Sequence, residues 1–264
     1  MTRIFDKASD FILEASRGNI LGVSTYNKFG RNTEIDAGVT ADIWDGGHTG
    51  DVSLIWVAPT QARIHDIKSS SSDDDGNPVG DGARTIRIFG LKNWDTAESN
   101  EDIILNGTSN VATSNAYVLI HRMRVLTKGA TNVNVGVITA TAQSNNTITA
   151  QINAGKGQTQ MCIYGIPSTQ KVHMKRLYGN VNKAGGAAGL VDVTLLFNPE
   201  PDAELTRFLV RHTFGLQTVG TSALTISYST PKILEGPGII KIQVLSGTAN
   251  MDVSAGFDLI IVDN

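Results

Sequence analysis

The stretch "MDVSAGFDLIIV" places Met251, Val253, Ala255, Phe257, Leu259 and Ile261 at every second position. Such alternation turns all six toward one face of an extended strand, whereas a helix would spread them around its axis. The same period recurs in "LVDVTLLF", with Val191, Val193, Leu195 and Phe197 on one face, and in "ALTISY", with Leu224, Ile226 and Tyr228. "NVNVGVITATA" reads likewise, with Val133, Val135 and Val137 on one side. Gly, Asn, Asp or Pro punctuates these runs roughly every 8 to 15 residues, and no long helical pattern separates them. The expected fold is mainly β: an N-terminal helix and extended arm (1–36), then two antiparallel β-sandwich or jelly-roll-like units, 37–145 and 146–264.

The N-terminal stretch behaves differently. Ile4, Phe5, Ala8, Phe11, Ile12 and Ala15 recur at steps of three and four, the mark of one apolar helix stripe. Thr2 stands where an N-cap belongs and Gly18 where a C-terminal cap belongs. The stripe packs either on its own domain or on a neighbouring subunit. "GNILGVSTYNKFGRNTEIDAG" (18–38) has no sustained period and reads as an extended connector, which favours an arm.

Charge narrows the partners. Only 18% of residues are charged and the net charge is −3, with a pI of about 5.9. Nucleic acid is therefore not an expected partner, because phosphate binding needs a basic face. No apolar run reaches the ~20 residues of a bilayer span, and residues 1–18 lack a secretory apolar core. The expectation is a chain made in a cytoplasm, with no membrane partner.

Chemistry is hard to find. Cys162 is the single cysteine and sits in an apolar stretch, as a small core residue would. "SSSSDDDGNPVGDGAR" (69–84) looks like a cation loop. Counted from Asp73, Asp75 and Asn77 fit the EF-hand alternation, but Pro78 and Arg84 occupy the glycine and final-carboxylate positions. With strand-like flanks, the segment reads as a solvated β–β loop. His48, His65, His121, His173 and His212 form no H-x-x-x-H pair, and His65 and His173 read as flanking a sheet surface. "NAGKGQT" lacks the spacing of a phosphate loop, and no G-x-S-x-G elbow is present. The expectation is no catalytic residue, no metal ligand and no cofactor. "IWVAPTQARIHDIK" and "IYGIPSTQKVHMKRL" echo one another, by duplication or by chance.

The order of the helix, "NKFGRNTEID", "DIWDGG", "GARTIRIFGL", "EDIILNG", "GQTQMCIYGIP" and "SAGFDLIIVDN" resembles a family of tailed-bacteriophage virion structural proteins. The resemblance runs over nearly the whole chain. It implies a non-enzymatic particle component, a cement, decoration or head-fibre protein anchored through Ile4, Phe5, Ala8, Phe11 and Ile12. The implied partners are a major capsid protein or neighbouring tail or neck subunits. Particle components are commonly symmetric homo-oligomers, and a trimer is expected by analogy with jelly-roll decoration proteins. The implied location is the virion, assembled in the bacterial host cytoplasm. A neck or tail component and a virion carbohydrate-binding module are the alternatives. Trp44, Trp56 and Trp94 show no spacing that reads as a sugar platform.

Overall fold

The computed structural model describes residues 8–46, 54–183, 186–203 and 207–264. Helix α1 (Ala8–Ser16) leads into β1 (Val23–Ile35) and β2 (Thr40–Asp42). A middle group follows: β3 (His65–Ser69), β4 (Ala83–Leu91), β5 (Ser99–Ile104), β6 (Val111–Ala112), β7 (Leu119–Lys128), β8 (Ile138–Ala142) and β9 (Thr147–Ile152). The chain closes with β10 (Ile163–Ile166), β11 (Gln170–Lys183), β12 (Leu190–Asn198) and β13 (Leu209–Gln217). After these come β14 (Ala223–Glu235), β15 (Gly238–Ser246) and β16 (Met251–Asp263). The molecule is mainly β, its described strands pair antiparallel, and a short helix precedes them.

The pairings reveal how the sheets close. β1 pairs β16, both β2 and β10 pair β15, β11 pairs β14, and β12 pairs β13. These partners are nested, as in one long antiparallel ribbon folded in half. Lateral pairs β11–β16 and β12–β15 then roll the ribbon into two sheets, β1-β16-β11-β14 and β10-β15-β12-β13, with β2 also on β15. This is a jelly roll of eight strand positions. Its edge position beside β15 is shared: β2 takes Gln243 to Leu245, and β10 takes Gly238 to Lys241. Between them the chain leaves and builds a second sandwich from sheets β6-β3-β8-β9 and β5-β4-β7.

Two readings of the sequence are corrected here. Residues 18–38 are not a connector, because Val23–Ile35 forms a full strand paired to β16 from Val23↔Val262 to Ile35↔Met251. The two units do not follow one another at 145/146 either. β1 and β2 complete the sheets of the C-terminal strands, so the second sandwich is an insertion into the jelly roll. We propose that the insertion is a separate unit on the strength of its own core.

The alternating runs land where expected. Met251, Val253, Ala255, Phe257, Leu259 and Ile261 are all buried, as are Val191, Val193, Leu195 and Phe197. Leu224, Ile226 and Tyr228 pack against the same cluster. Val133 to Val137 do not: the strand starts at Ile138, and Ile138, Ala140 and Ala142 face inward. The echo holds only in its second half, where His65–Ser69 forms β3 and Gln170–Lys183 forms β11; in its first half Ile163–Ile166 forms β10 whereas residues 55–62 form no strand.

The second core contains Trp44, Trp56, Trp94, Ile86, Ile88 and Met123, and it also takes Ile163 and Ile239 from the jelly roll. All four residues of β10 are buried because both of its faces are covered. Tyr164 and Ile166 face the jelly-roll core, and Ile163 faces the insertion. At Gly30 the covering is so close that a side chain would strike the Ile43 carbonyl and the Cys162 amide. Glycine alone lets β1 approach the point where the insertion departs.

Candidate functional site

The expected anchor lies only partly among the described residues. Ile4 and Phe5 fall outside them, and Ala8 begins α1. Phe11, Ile12 and Leu13 are 37%, 40% and 46% exposed, whereas Glu14 and Ala15 are buried. Ile12 borders a groove shared with Thr25, Tyr26, Tyr228 and Ile260. Gly18 ends the helix as read, with φ of 72°, and Gly18 N and Asn19 N donate to Ala15 O and Glu14 O. That pair of bonds is a Schellman cap.

The acidic loop turns inward around Asp74. This carboxylate is fully buried and accepts from Ser69 Oγ at 2.6 Å and from the amides of Ala83, Val135 and Gly136, each at 2.8 Å. It ties residues 69–83 to 135–136, which is why Val133 to Val137 form a loop instead of a strand. Asp75 caps the amide of Asn77 at 2.8 Å. Among the described residues, no three His, Cys, Asp or Glu side chains gather as a metal ion requires.

Charged groups missed by sequence reading lie where the insertion meets the jelly roll. Lys28 is buried and its Nζ donates to the carbonyl oxygen of His121 on β7. His121 Nε2 meets Glu98 Oε2 at 2.5 Å, and its ring lies 4.9 Å from that of Tyr164 and 6.0 Å from that of Tyr26. Arg122 stacks over Tyr26 at 4.5 Å and donates to Asn27 O at 2.8 Å. Asp45 accepts from the amide of Gln160 at 2.8 Å. One shell out, Asp42 pairs with Lys241 at 2.7 Å, both buried, while Gln243 Nε2 and the Trp56 amide donate to the same carboxylate at 3.0 and 2.8 Å.

Burial dominates the electrostatics. It pushes the Lys28 ammonium down to about 7, helped by Arg122 and opposed by Cys162, Glu98 and Asp45. It pushes the Asp45 carboxyl up to about 7 against the Gln160 amide, Lys156 and Lys28. The buried His121 imidazole is likewise pushed down, with Glu98 opposing. For Glu98 burial acts upward, yet the hydrogen bond from His121 and the charges of Lys28 and Arg122 hold it below the usual carboxylate range. His65 is buried too, and burial lowers it to about 4, which corrects its reading as a sheet-surface residue. Cys162 is a core residue whose thiol burial pushes up.

No family model and no curated protein matches the chain. Among solved structures, the VP2 subviral particle of infectious bursal disease virus is similar at 9% identity and TM-score 0.24, covering 91% of this chain and 72% of that one. A T13 particle of the same virus gives 9% identity and TM-score 0.26, covering 91% and 69%. Likeness of this degree does not establish a shared fold or role.

The junction encloses most of its charged groups. Among the described residues His121 and Lys28 are almost fully buried. Its pH signature follows from the sign of the Lys28 shift. The unfolded chain keeps that proton up to about 10.4 whereas the folded chain releases it near 7, so stability rises with pH between those values. Lys28→Met should lack this rise. The stability of wild type relative to Lys28→Met should then grow by at least ~1.4 kcal/mol from pH 7 to pH 10 in urea titrations, the equivalent of one pKa unit. A flat difference would mean that Lys28 stays charged and hydrated.

Proposed function

We propose that this chain is a non-enzymatic structural subunit of a virus particle, specifically a cement, decoration or head-fibre protein of a tailed-phage capsid. The observation that carries this reading is the N-terminal helix, which turns Phe11, Ile12 and Leu13 outward from a jelly roll already closed by β1. Exposed apolar side chains clustered on one terminal element mark a surface that another protein covers. Viral capsid subunits are among the established users of the jelly roll. The insertion is fixed to the jelly roll by a shared core and by Lys28–His121 and Arg122–Asn27, as suits a part that bears load without opening. The partners would be a major capsid protein and further copies of this chain, with trimers favoured. Among the described residues no helix is long and apolar enough to cross a membrane.

Electron microscopy of the intact particle tests this directly. The expected result is bilobed density, jelly roll and insertion, at local three-fold positions of the capsid surface. A ring at the portal vertex would move the protein to the neck or tail. Particles without the chain would overturn the reading.

A further inference from the structure

The two sheets of the jelly roll have different outer faces. The insertion sits on the β10-β15-β12-β13 sheet, where it buries Asp42 and Lys241. Among the described residues, the outer face of β1-β16-β11-β14 carries only α1 near one end and is otherwise open. Register places its side chains in rows: Asn27, Asp258, Arg176 and Ser227, then Phe29, Gly256, Tyr178 and Thr225, then Arg31, Ser254, Asn180 and Ala223. A cavity of about 640 Å³ covers these rows. It continues into one of about 310 Å³ toward α1 and one of about 350 Å³ toward Asp252 and Asn182. From residue 252 to residue 260 of β16 the trough runs roughly 27 Å, at about 3.4 Å per residue.

The lining sets the chemistry of its occupant. Arg31 pairs with Asp252 at 3.0 Å and Arg176 with Asp258 at 3.4 Å, so both arginines of the central cavity are offset locally, and Lys175 lines only the continuation toward α1. In the central cavity little net field is left to attract a phosphate or sulfate chain. Gln160 and Asn180 bring amides that both donate and accept, matching hydroxyl groups that do the same, while Asn27, whose Nδ2 donates to Tyr178 and Asp258, offers its amide oxygen. In the middle row Phe29 and Tyr178 flank Gly256, where a side chain would strike the Tyr178 hydroxyl and the Lys28 carbonyl. The Tyr178 ring is pinned across that gap by Asn27 Nδ2, which donates to its hydroxyl at 2.9 Å. Two aromatic groups at the floor of a trough of amide, hydroxyl and paired charged side chains suit the apolar faces and hydroxyl rims of sugar rings. The three tryptophans are buried in the insertion and take no part.

We propose that this trough binds an extended neutral glycan, with Tyr178 and Phe29 as its aromatic floor and Asn27 and Asn180 as hydrogen-bonding groups. The site does not depend on the particle reading, since it rests on the open sheet face alone.

The test is native affinity electrophoresis of the full chain in gels holding dextran, mannan or galactan, with dextran sulfate as the charged control. At least one neutral polysaccharide should retard the protein, and 0.5 M NaCl, roughly a 4 Å Debye length, should not abolish the effect. Tyr178→Ala and, separately, the exposed Asn180→Ala should each weaken retardation at least tenfold with unchanged circular dichroism and melting. No retardation by any neutral chain would overturn the proposal, as would retardation that ignores both substitutions. Retardation by dextran sulfate alone would show a charge-driven surface and would also overturn it. So would an oligomer in sedimentation that Tyr178→Ala dissociates, because the face would then belong to a second copy.

Discussion

Asp42→Ala should cost about 3–5 kcal/mol, because it leaves Lys241 charged, buried and unpaired. The Asp42 carboxylate is fully enclosed and holds three donors at once: Lys241 Nζ, Gln243 Nε2 and the Trp56 amide. Losing it orphans all three beneath the insertion. For a chain of this size the thermal midpoint should fall by roughly 10 °C. The neutral pair Asp42→Asn with Lys241→Met should recover to within about 1.5 kcal/mol of wild type. The amide oxygen introduced by Asp42→Asn would still accept from the Trp56 amide. The methionine side chain of Lys241→Met would follow the lysine path toward Phe208, whose ring centre lies 4.5 Å from Nζ. Urea titration of the single and double variants measures both effects. A single variant within 1 kcal/mol of wild type, on the scale of an exposed pair, would show that water reaches the site. A double variant as unstable as the single one would show that the cost lies in lost packing, not in stranded charge.

The jelly roll was legible wherever burial follows chain parity. β16, β12 and the first half of β14 each bury one side, so alternation in the sequence names their core residues directly. The insertion was not legible. β2 has three residues and β10 has four, too short for any period to show, and only their common partner β15 reveals one strand position in two pieces. The buried charges were hidden for a related reason. Asp42 and Lys241 lie on the outer face of their sheet, where charge ordinarily meets water, and they become interior groups only because the insertion covers them. Lys28 shares the inner face of β1 with Tyr26 and Gly30, a sequence that carries no apolar alternation to mark it as buried. Asp74 falls outside the EF-hand alternation that marks Asp73 and Asp75, yet it gathers amides from two distant segments. The outer trough depends on cross-strand register, since Phe29, Gly256 and Tyr178 are neighbours only through β16.

Phe11→Ser with Ile12→Ser should cut incorporation into particles by about an order of magnitude while the β circular-dichroism signal stays unchanged. Both side chains are more than a third exposed, so the folded chain alone gains only part of their burial energy. Complete burial of an apolar side chain of this size contributes roughly 1.5–3 kcal/mol. If a neighbour covers what α1 leaves open, the pair supplies roughly 1–2 kcal/mol to assembly, the exposed share of that burial, and each 1.4 kcal/mol is a factor of ten in affinity. Ile12 also borders the groove with Tyr26, Tyr228 and Ile260, so a drop in melting of a few degrees is compatible with docking. Ala15 is buried against the chain's own body, and Ala15→Ser therefore serves as the control that perturbs self-packing without touching the exposed side. Quantifying the subunit in purified particles against the capsid protein reads the result. Normal incorporation with a melting temperature lowered as far as for Asp42→Ala would mean that α1 only covers its own jelly roll. Normal incorporation with normal melting would remove the helix from both roles.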